Sequence, residues 1–408
     1  MKLLYLHPKA WSGEYAILKK FRELGHDICV LEEAREEWAS ARRVSADFLE
    51  PGDGIPTLWY SPHRGWEKIL TWPADQIFKR AFDGRNLVHR MWVIREAIRH
   101  FRPDAIVCTD GFTYAIPAAF LKRLGMLRVP LLASYIGGDI LDCPEALVGK
   151  RRTPMVSWLI RNSIPGIDTL RPLCRSLADI LVKEGADPKR IHIVPIQLPA
   201  PLAQLEQIRL NRAAIGAEVR RRYGIARGCP LVVTLSGNHK GKGLHHLAQA
   251  WRAIFQAVPG ACWLLCGPHE PWLTEAVWPE LRRQGLEHTV HFAGALSGIA
   301  VYEHLAAGDI HVNPTLCEGL NIVTVEAAAV GTPTITSDGA GIADWVERLQ
   351  AGSVVPAGDV AALAQAVIVA LQTPELRLTW QERTRSMAPD FSLDRIAAQL
   401  LALLPASH

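Results

Sequence analysis

Two carboxylates and a lysine-bearing glycine turn are the groups in this chain whose types and spacing could do chemistry. In Pro314-Thr-Leu-Cys-Glu318-Gly-Leu-Asn-Ile-Val-Thr-Val-Glu326-Ala-Ala-Ala-Val-Gly-Thr-Pro333, seven residues separate Glu318 from Glu326. The pattern predicts a helix over Asn321–Ala329, closed by Gly331-Thr-Pro333, with Glu318 in the loop before it. The N–H groups of Gly319, Leu320, Asn321 and Ile322 then point to the same spot as Glu318, where the helix start carries partial positive charge. One to two turns into that helix, Glu326 can accept two hydrogen bonds from a vicinal diol such as a ribose. A second segment, Ser236-Gly237-Asn238-His239-Lys240-Gly241-Lys242-Gly243, joins a strand to a helix. Its glycines admit backbone N–H groups to a ligand and its lysines add full charges, which suits a pyrophosphate. It matches neither GxGxxG nor the P-loop, because Leu244 stands where a P-loop has Ser or Thr. A surface turn rich in glycine and lysine has the same composition, so this segment alone leaves both readings open.

The elements around these segments repeat one alternation. Leu3–Leu6 reads as a strand, Ser12-Gly13 as a turn, Tyr15–Leu24 as a helix closed by Gly25, and Asp27–Leu31 as a second strand. Ala105–Cys108 and Val129–Tyr135 continue the strands; Arg171–Glu184 reads as a helix and Ile191–Val194 as a strand. The stretch from Asp47 to Pro73 reads as a loop-rich, aromatic insertion. Pro195–Pro201 has the composition of a linker, and a charged helix is predicted over Leu202–Tyr223. Strands then recur at Leu231–Leu235, Cys262–Cys266, Val290–Ala293, Ile310–Asn313 and Thr334–Thr336, with a helix over Leu244–Val258. A chain of 408 residues holding two such β/α halves implies an α/β protein. Its two Rossmann-like, doubly wound domains would face one another across a cleft. The expected divisions are residues 1–198 as an acceptor-binding domain, 199–388 as a donor domain, and 389–408 as a helix crossing back to the first domain.

Composition narrows the classes. Apolar residues make up 49% and charged residues 21%, which excludes wholesale disorder. No run of about 20 apolar residues is present, and His7 and Lys9 interrupt the N-terminus before a signal-peptide core could form. The expectation is a cytoplasmic protein whose only membrane contact would be peripheral, at the inner face. A net charge of +4 is too small to argue for nucleic acid. Between Lys150 and Arg227, however, 15 Lys and Arg outnumber 6 Asp and Glu, a local excess that could attract a phosphorylated ligand or an anionic leaflet. The eight cysteines show no CxxC and no zinc spacing, so reduced thiols are expected.

Taken together, Gly237…Lys242-Gly243, Glu318-x7-Glu326, Gly331-Thr-Pro333, Phe292-Ala-Gly294, Asn313-Pro-Thr315 and Ser337-Asp-Gly339 resemble the group 1 glycosyltransferases, the retaining family 4 with the GT-B fold. The likeness runs from about Leu231 to Leu404 and is looser in the first half. It implies that Lys242 neutralises a leaving diphosphate, helped by the N–H groups of Gly319, Leu320, Asn321 and Ile322. Glu318 would hold sugar hydroxyls and Glu326 the ribose diol. Gly237, Asn238 and Lys240 would belong to the phosphate turn, Gly267 and Gly294 to the walls beside the base, and Gly13 to a first-domain loop over the phosphates. The chain departs from the family in three places: Asn238 stands where an Arg is usual, Ile136 precedes Gly137-Gly-Asp139 in place of a His, and the proline–asparagine–glycine signature is missing near Pro195. Asp139 is left as a structural or an acceptor-side residue.

The implied reaction moves a sugar from a nucleotide-diphosphate donor to a cell-envelope glycan, lipid or small molecule. It needs no cofactor, and without a DxD motif no metal is expected. Two alternatives stay open: a catalytically silent partner subunit of the same fold, and a UDP-sugar epimerase.

Overall fold

The computed structural model describes residues 1–6, 12–33, 45–48, 54–60, 66–78, 86–150 and 153–405. They form two compact units. The first comprises Met1–Asp142, Gly149–Pro199 and Leu393–His408; the second comprises Cys143–Val148 and Ala200–Ser392.

In the first unit, strands β1 (Lys2–Leu6), β2 (Asp27–Glu33), β3 (Ser45–Phe48), β4 (Thr57–Tyr60), β5 (Ala105–Cys108) and β6 (Leu131–Tyr135) are laid down in sequence. A two-residue pair follows, β7 (Asp142–Cys143) with β8 (Val148–Gly149), and then β9 (Thr169–Pro172). The main sheet runs β3-β4-β2-β1-β5-β6-β9, parallel except for β3 against β4. Leu3, Leu4 and Leu6 are wholly buried, as expected of a parallel strand covered on both faces. The C-terminal helix Leu393–Ala402 contributes Ile396, Ala397 and Leu400 to the core that contains Leu3, Leu18 and Phe21.

Several sequence expectations are corrected here. Arg171 lies in β9 rather than in a helix, and the helix is shorter, Arg175–Lys183. Ile191–Val194 forms no strand, only an isolated bridge from Ile191 to Leu170. The supposed insertion is built in part: β4 extends the sheet, and Trp66–Phe78 is a helix with Pro73 inside it. Gly13 falls in the first turn of the helix Ser12–Glu23, not in a loop, while residues 7–11 before it lie outside the described residues.

The second unit carries β10 (Leu231–Leu235), β11 (Cys262–Cys266), β12 (Val290–Gly294), β13 (Ile310–Asn313), β14 (Thr334–Ser337) and β15 (Gly352–Val355). They form an all-parallel sheet in the order β12-β11-β10-β13-β14-β15, whose last strand the sequence reading missed. Trp251 and Trp263 anchor its core, and each spends its indole N–H on a threonine hydroxyl, Thr289 and Thr234, at 2.8 Å. The single helix expected over Leu202–Tyr223 is two, Leu202–Leu210 and Arg212–Arg222, broken at Asn211. Among the described residues no helix is long and apolar enough to cross a membrane.

Candidate active site

In the second sheet the strand order reverses between β10 and β13: β11 and β12 extend one way, and β13, β14 and β15 the other. Loops leaving the two strands that flank such a reversal diverge and open a crevice at the carboxyl edge. Both motifs singled out in the sequence leave from these two strands.

After β10, residues Lys240–Lys242 form one 3₁₀ turn ahead of the helix Leu244–Ala257. Gly243 is left-handed (φ +67°), and a Cβ there would lie 1.9 Å from the Pro314 carbonyl oxygen, so only glycine lets the two loops meet. The Gly241 carbonyl ties them further, accepting from Leu316 N at 2.8 Å and from Thr315 Oγ1 at 2.9 Å. This clamp brings Lys242 Nζ to 2.5 Å from Glu318 Oε1. The other carboxylate oxygen of Glu318 accepts from Asn321 Nδ2 at 2.8 Å. Asn321 is itself left-handed (φ +73°) and caps the helix Ile322–Ala329, its Oδ1 accepting from Thr324 N at 3.0 Å and Thr324 Oγ1 at 2.9 Å. One asparagine thus starts the helix and orients the acid. The helix begins at Ile322, one residue later than the spacing suggested.

Glu326 is nearly buried, and among the described residues its carboxylate accepts one hydrogen bond, from the Tyr302 hydroxyl at 3.1 Å. Burial pushes its carboxyl up to about 7, and the tyrosine offsets only part of that. His239 lies beside the ion pair; burial, and then the charge of Lys242, holds its imidazole below the ordinary value, so it is neutral at pH 7.

The other expected site residues take the following places. The Asn238 side chain is fully buried and donates to the Pro268 carbonyl, stapling the turn after β11. Lys240 sets its Nζ over the Trp272 ring, 5.9 Å from the ring centre. Gly267 (φ +145°) sits where a Cβ would lie 2.0 Å from the Ser236 carbonyl oxygen, and its N–H donates to Gly294 O at 2.8 Å, joining the three loops at this edge. Gly237 faces His239 and Glu270, Leu320 is buried, and Gly319 lies between Glu318 and the helix. In the first unit, Asp139 accepts main-chain hydrogen bonds from Gly111 (2.7 Å), Gly137 (2.8 Å) and Ile136 (3.1 Å), which tie together the loops after β5 and β6.

Comparison with known proteins decides the family. Residues 229–373 match the family described as glycosyl transferases group 1, and residues 15–197 match the glycosyl transferase 4-like domain. The chain belongs to the group 1 glycosyltransferases. This glycosyltransferase is 29% identical to a glycogen synthase of Mycobacterium tuberculosis over 91% of its own length and 85% of the relative's. It is 30% identical to a 2-deoxystreptamine N-acetyl-D-glucosaminyltransferase of Streptomyces fradiae over 66% of its own length and 62% of the relative's. Among solved structures, Anabaena Alr3699/HepE in complex with UDP superposes with a TM-score of 0.74 at 18% identity, covering 99% of both chains. At that identity the match shows the fold, which is GT-B.

Three features of this candidate site escaped sequence reasoning. Tyr302 lies 24 residues before the acid it contacts, with no motif linking them. Glu270 follows β11 in an unremarkable turn, yet its carboxylate comes close to Gly237. The thiols expected to be reduced include a bonded pair: Cys143 and Cys317 form a disulfide across 174 residues of sequence, next to Glu318. No local spacing signals such a pairing, because the fold alone brings the two together.

Proposed function

We propose that this enzyme transfers a sugar from a nucleoside-diphosphate donor, with retention of anomeric configuration and without a metal, to a cell-envelope glycan, a lipid-linked or a small-molecule acceptor. The observation that carries the reading is the Lys242–Glu318–Asn321 chain at the strand-order reversal, where a cation, a fixed acid and a helix start meet. As the bond from sugar to diphosphate breaks, negative charge grows on the departing phosphate. Lys242 and the N–H groups of Gly319–Ile322 are preorganised to meet it. Glu318, pinned on both oxygens, would orient sugar hydroxyls, and Glu326 would accept from the ribose diol. Front-face attack, with the departing phosphate taking the acceptor proton, requires no side-chain nucleophile. A solved structure of the same fold that holds UDP supports a diphosphate-bearing donor here.

The test is a melting-temperature panel with UDP-, GDP- and ADP-sugars, followed by diphosphate release and by NMR of the product anomer. One nucleotide class should stabilise the fold by a few kcal/mol at about 100–1,000 times its Kd, and the product should keep the donor configuration. Binding without diphosphate release, whatever the acceptor, would make the chain a silent subunit and end this reading.

A further inference from the structure

Far from the motifs above, the second unit holds a pocket of about 570 Å³ whose wall includes Arg209, Arg212, Arg220 and Arg227, with Asp309 and Gln381. It lies at the opposite edge of the sheet. Cys229, two residues before β10, and Asp309, directly before β13, also line it, whereas the Lys242 turn and Glu318 follow the ends of those strands. At about 3.3 Å per residue, a strand's length separates the two places.

Three of the four arginines are held in position before any ligand arrives. Arg212 donates from Nε to Ala306 O at 3.0 Å, from Nη1 to Gln381 Oε1 at 3.2 Å and from Nη2 to Gly308 O, closing the end of the helix Ile299–Ala307. Arg220 donates to Cys229 O at 2.6 Å and pairs with Asp309 at 3.1 Å; Arg209 donates to Gln381 O at 2.9 Å. Each guanidinium has five N–H donors, so these bonds leave donors over on all three. Arg227, at the rim, is exposed. The lining thus carries four arginines and one carboxylate, which also accepts from Leu231 N at 2.7 Å; outside the lining, Glu206 and Glu382 act on Arg209 against the charge of Arg385. Burial lowers the Arg212 pKa from its ordinary value, Asp309 offsets part of this, and Arg220, Arg209 and Arg377 add to it. Like charges held this close are relieved by an anion, and rigid planar donors suit phosphoryl oxygens. The volume falls within the range of small-molecule sites, about 300–1,000 Å³.

We propose that this pocket is a second ligand site, separate from the sugar-transfer site, that binds the phosphoryl dianion of a small phosphate or phosphate ester. A carboxylate would set one negative charge against the arginine excess of this lining, whereas a phosphoryl group sets most of two.

Isothermal titration of the full chain with inorganic phosphate, and separately with glucose 6-phosphate, tests this. The wild type and Lys242→Ala should bind alike, because Lys242 belongs to the other site. The Arg209→Ala/Arg227→Ala double variant should bind at least tenfold more weakly. Should that variant fold poorly by circular dichroism, Arg227→Glu alone, at an exposed position, should show the same loss. Tighter binding of the sugar phosphate than of phosphate identifies an ester as the occupant, and equal binding identifies phosphate itself; either supports the site. Absence of binding in the wild type, unchanged binding in the arginine variants, or loss of binding in Lys242→Ala overturns it. The last result would place the anion at the transfer site, and none of these outcomes depends on whether the sugar-transfer assignment is right.

Discussion

Each unit places a buried carboxylate near the carboxyl edge of its sheet, and the two are treated in opposite ways. Asp139 in the first unit is met by three main-chain N–H groups, whereas Glu326 in the second receives one hydroxyl. Both carboxyls are raised by burial: Asp139 to about 6, with Asp110 adding to the rise and the N–H groups pulling it back, and Glu326 to about 7, with only Tyr302 opposing. An acid whose lone pairs are already taken is a fastener for loops. An acid left short of donors in a crevice is complementary to something that brings hydroxyls. Burial is therefore the weaker guide to function, and hydrogen-bond saturation the stronger one.

The largest expected effect lies on the unsaturated side. Lys242→Ala should lower kcat about 10²–10³-fold, the usual consequence of removing one preorganised donor to developing charge, as read from steady-state diphosphate release. An unchanged kcat would show that the Lys242–Glu318 pair is only a structural ion pair. On the saturated side, Asp139→Ala strands three N–H groups at about 1–3 kcal/mol each if fully buried. A loss of about 4 kcal/mol in urea-induced unfolding is expected, with the donor KM unchanged in the folded fraction. A raised donor KM at full stability would reverse the contrast and make Asp139 a ligand-binding group.

The same distinction explains what could be read from the chain. Both strand–glycine–helix openings, the strands that become β10 and β13, and the Glu318–Glu326 spacing rest on local periodicity and turn residues, which the sequence displays directly. Saturation depends on partners distant in sequence and was hidden. Nothing near Asn238 announces that its amide is spent on Pro268, and nothing near Glu326 announces Tyr302. Asn321 was legible as a helix start but not as a left-handed residue that also holds Glu318. The break at Asn211 was missed because charged residues continue through it without a proline or glycine.

The disulfide is the most remote of these partnerships, and it sharpens the contrast because it reinforces the Glu318 loop covalently. Cys317 adjoins Glu318, and Cys143 lies in the short segment Cys143–Val148, whose Val148 and Ala146 pack against Gly241. The bridge and this packing together hold the Lys242 turn and the Glu318 loop to one segment. Cys317→Ser should cost about 2–3 kcal/mol of stability, within the usual range for a native disulfide. Mass spectrometry after alkylation should label Cys143 and Cys317 only when a reductant is present. Labelling without reductant would remove the bridge from the account.

The smallest expected effect discriminates best. In Glu326 the folded-state pKa, about 7, lies above the ordinary 4.5. The folded protein therefore holds a proton that the unfolded chain releases, and stability falls as pH rises from about 4.5 to about 7. Glu326→Gln cannot ionise, so the ligand-free variant should exceed the wild type in stability above pH 7, by on the order of 1 kcal/mol once water and relaxation have eased the burial cost. The advantage should fade toward pH 5. Donor binding should move the opposite way. Ribose hydroxyls donate to a carboxylate better than to a neutral acid, so the wild-type donor KM should fall as pH rises through 7. The Gln variant should show a pH-independent KM about tenfold higher than the wild type above pH 7. A residue kept only for packing could account for the gain in stability but not for the change in KM, so a variant that is more stable and binds donor equally well would leave Glu326 no role in recognition.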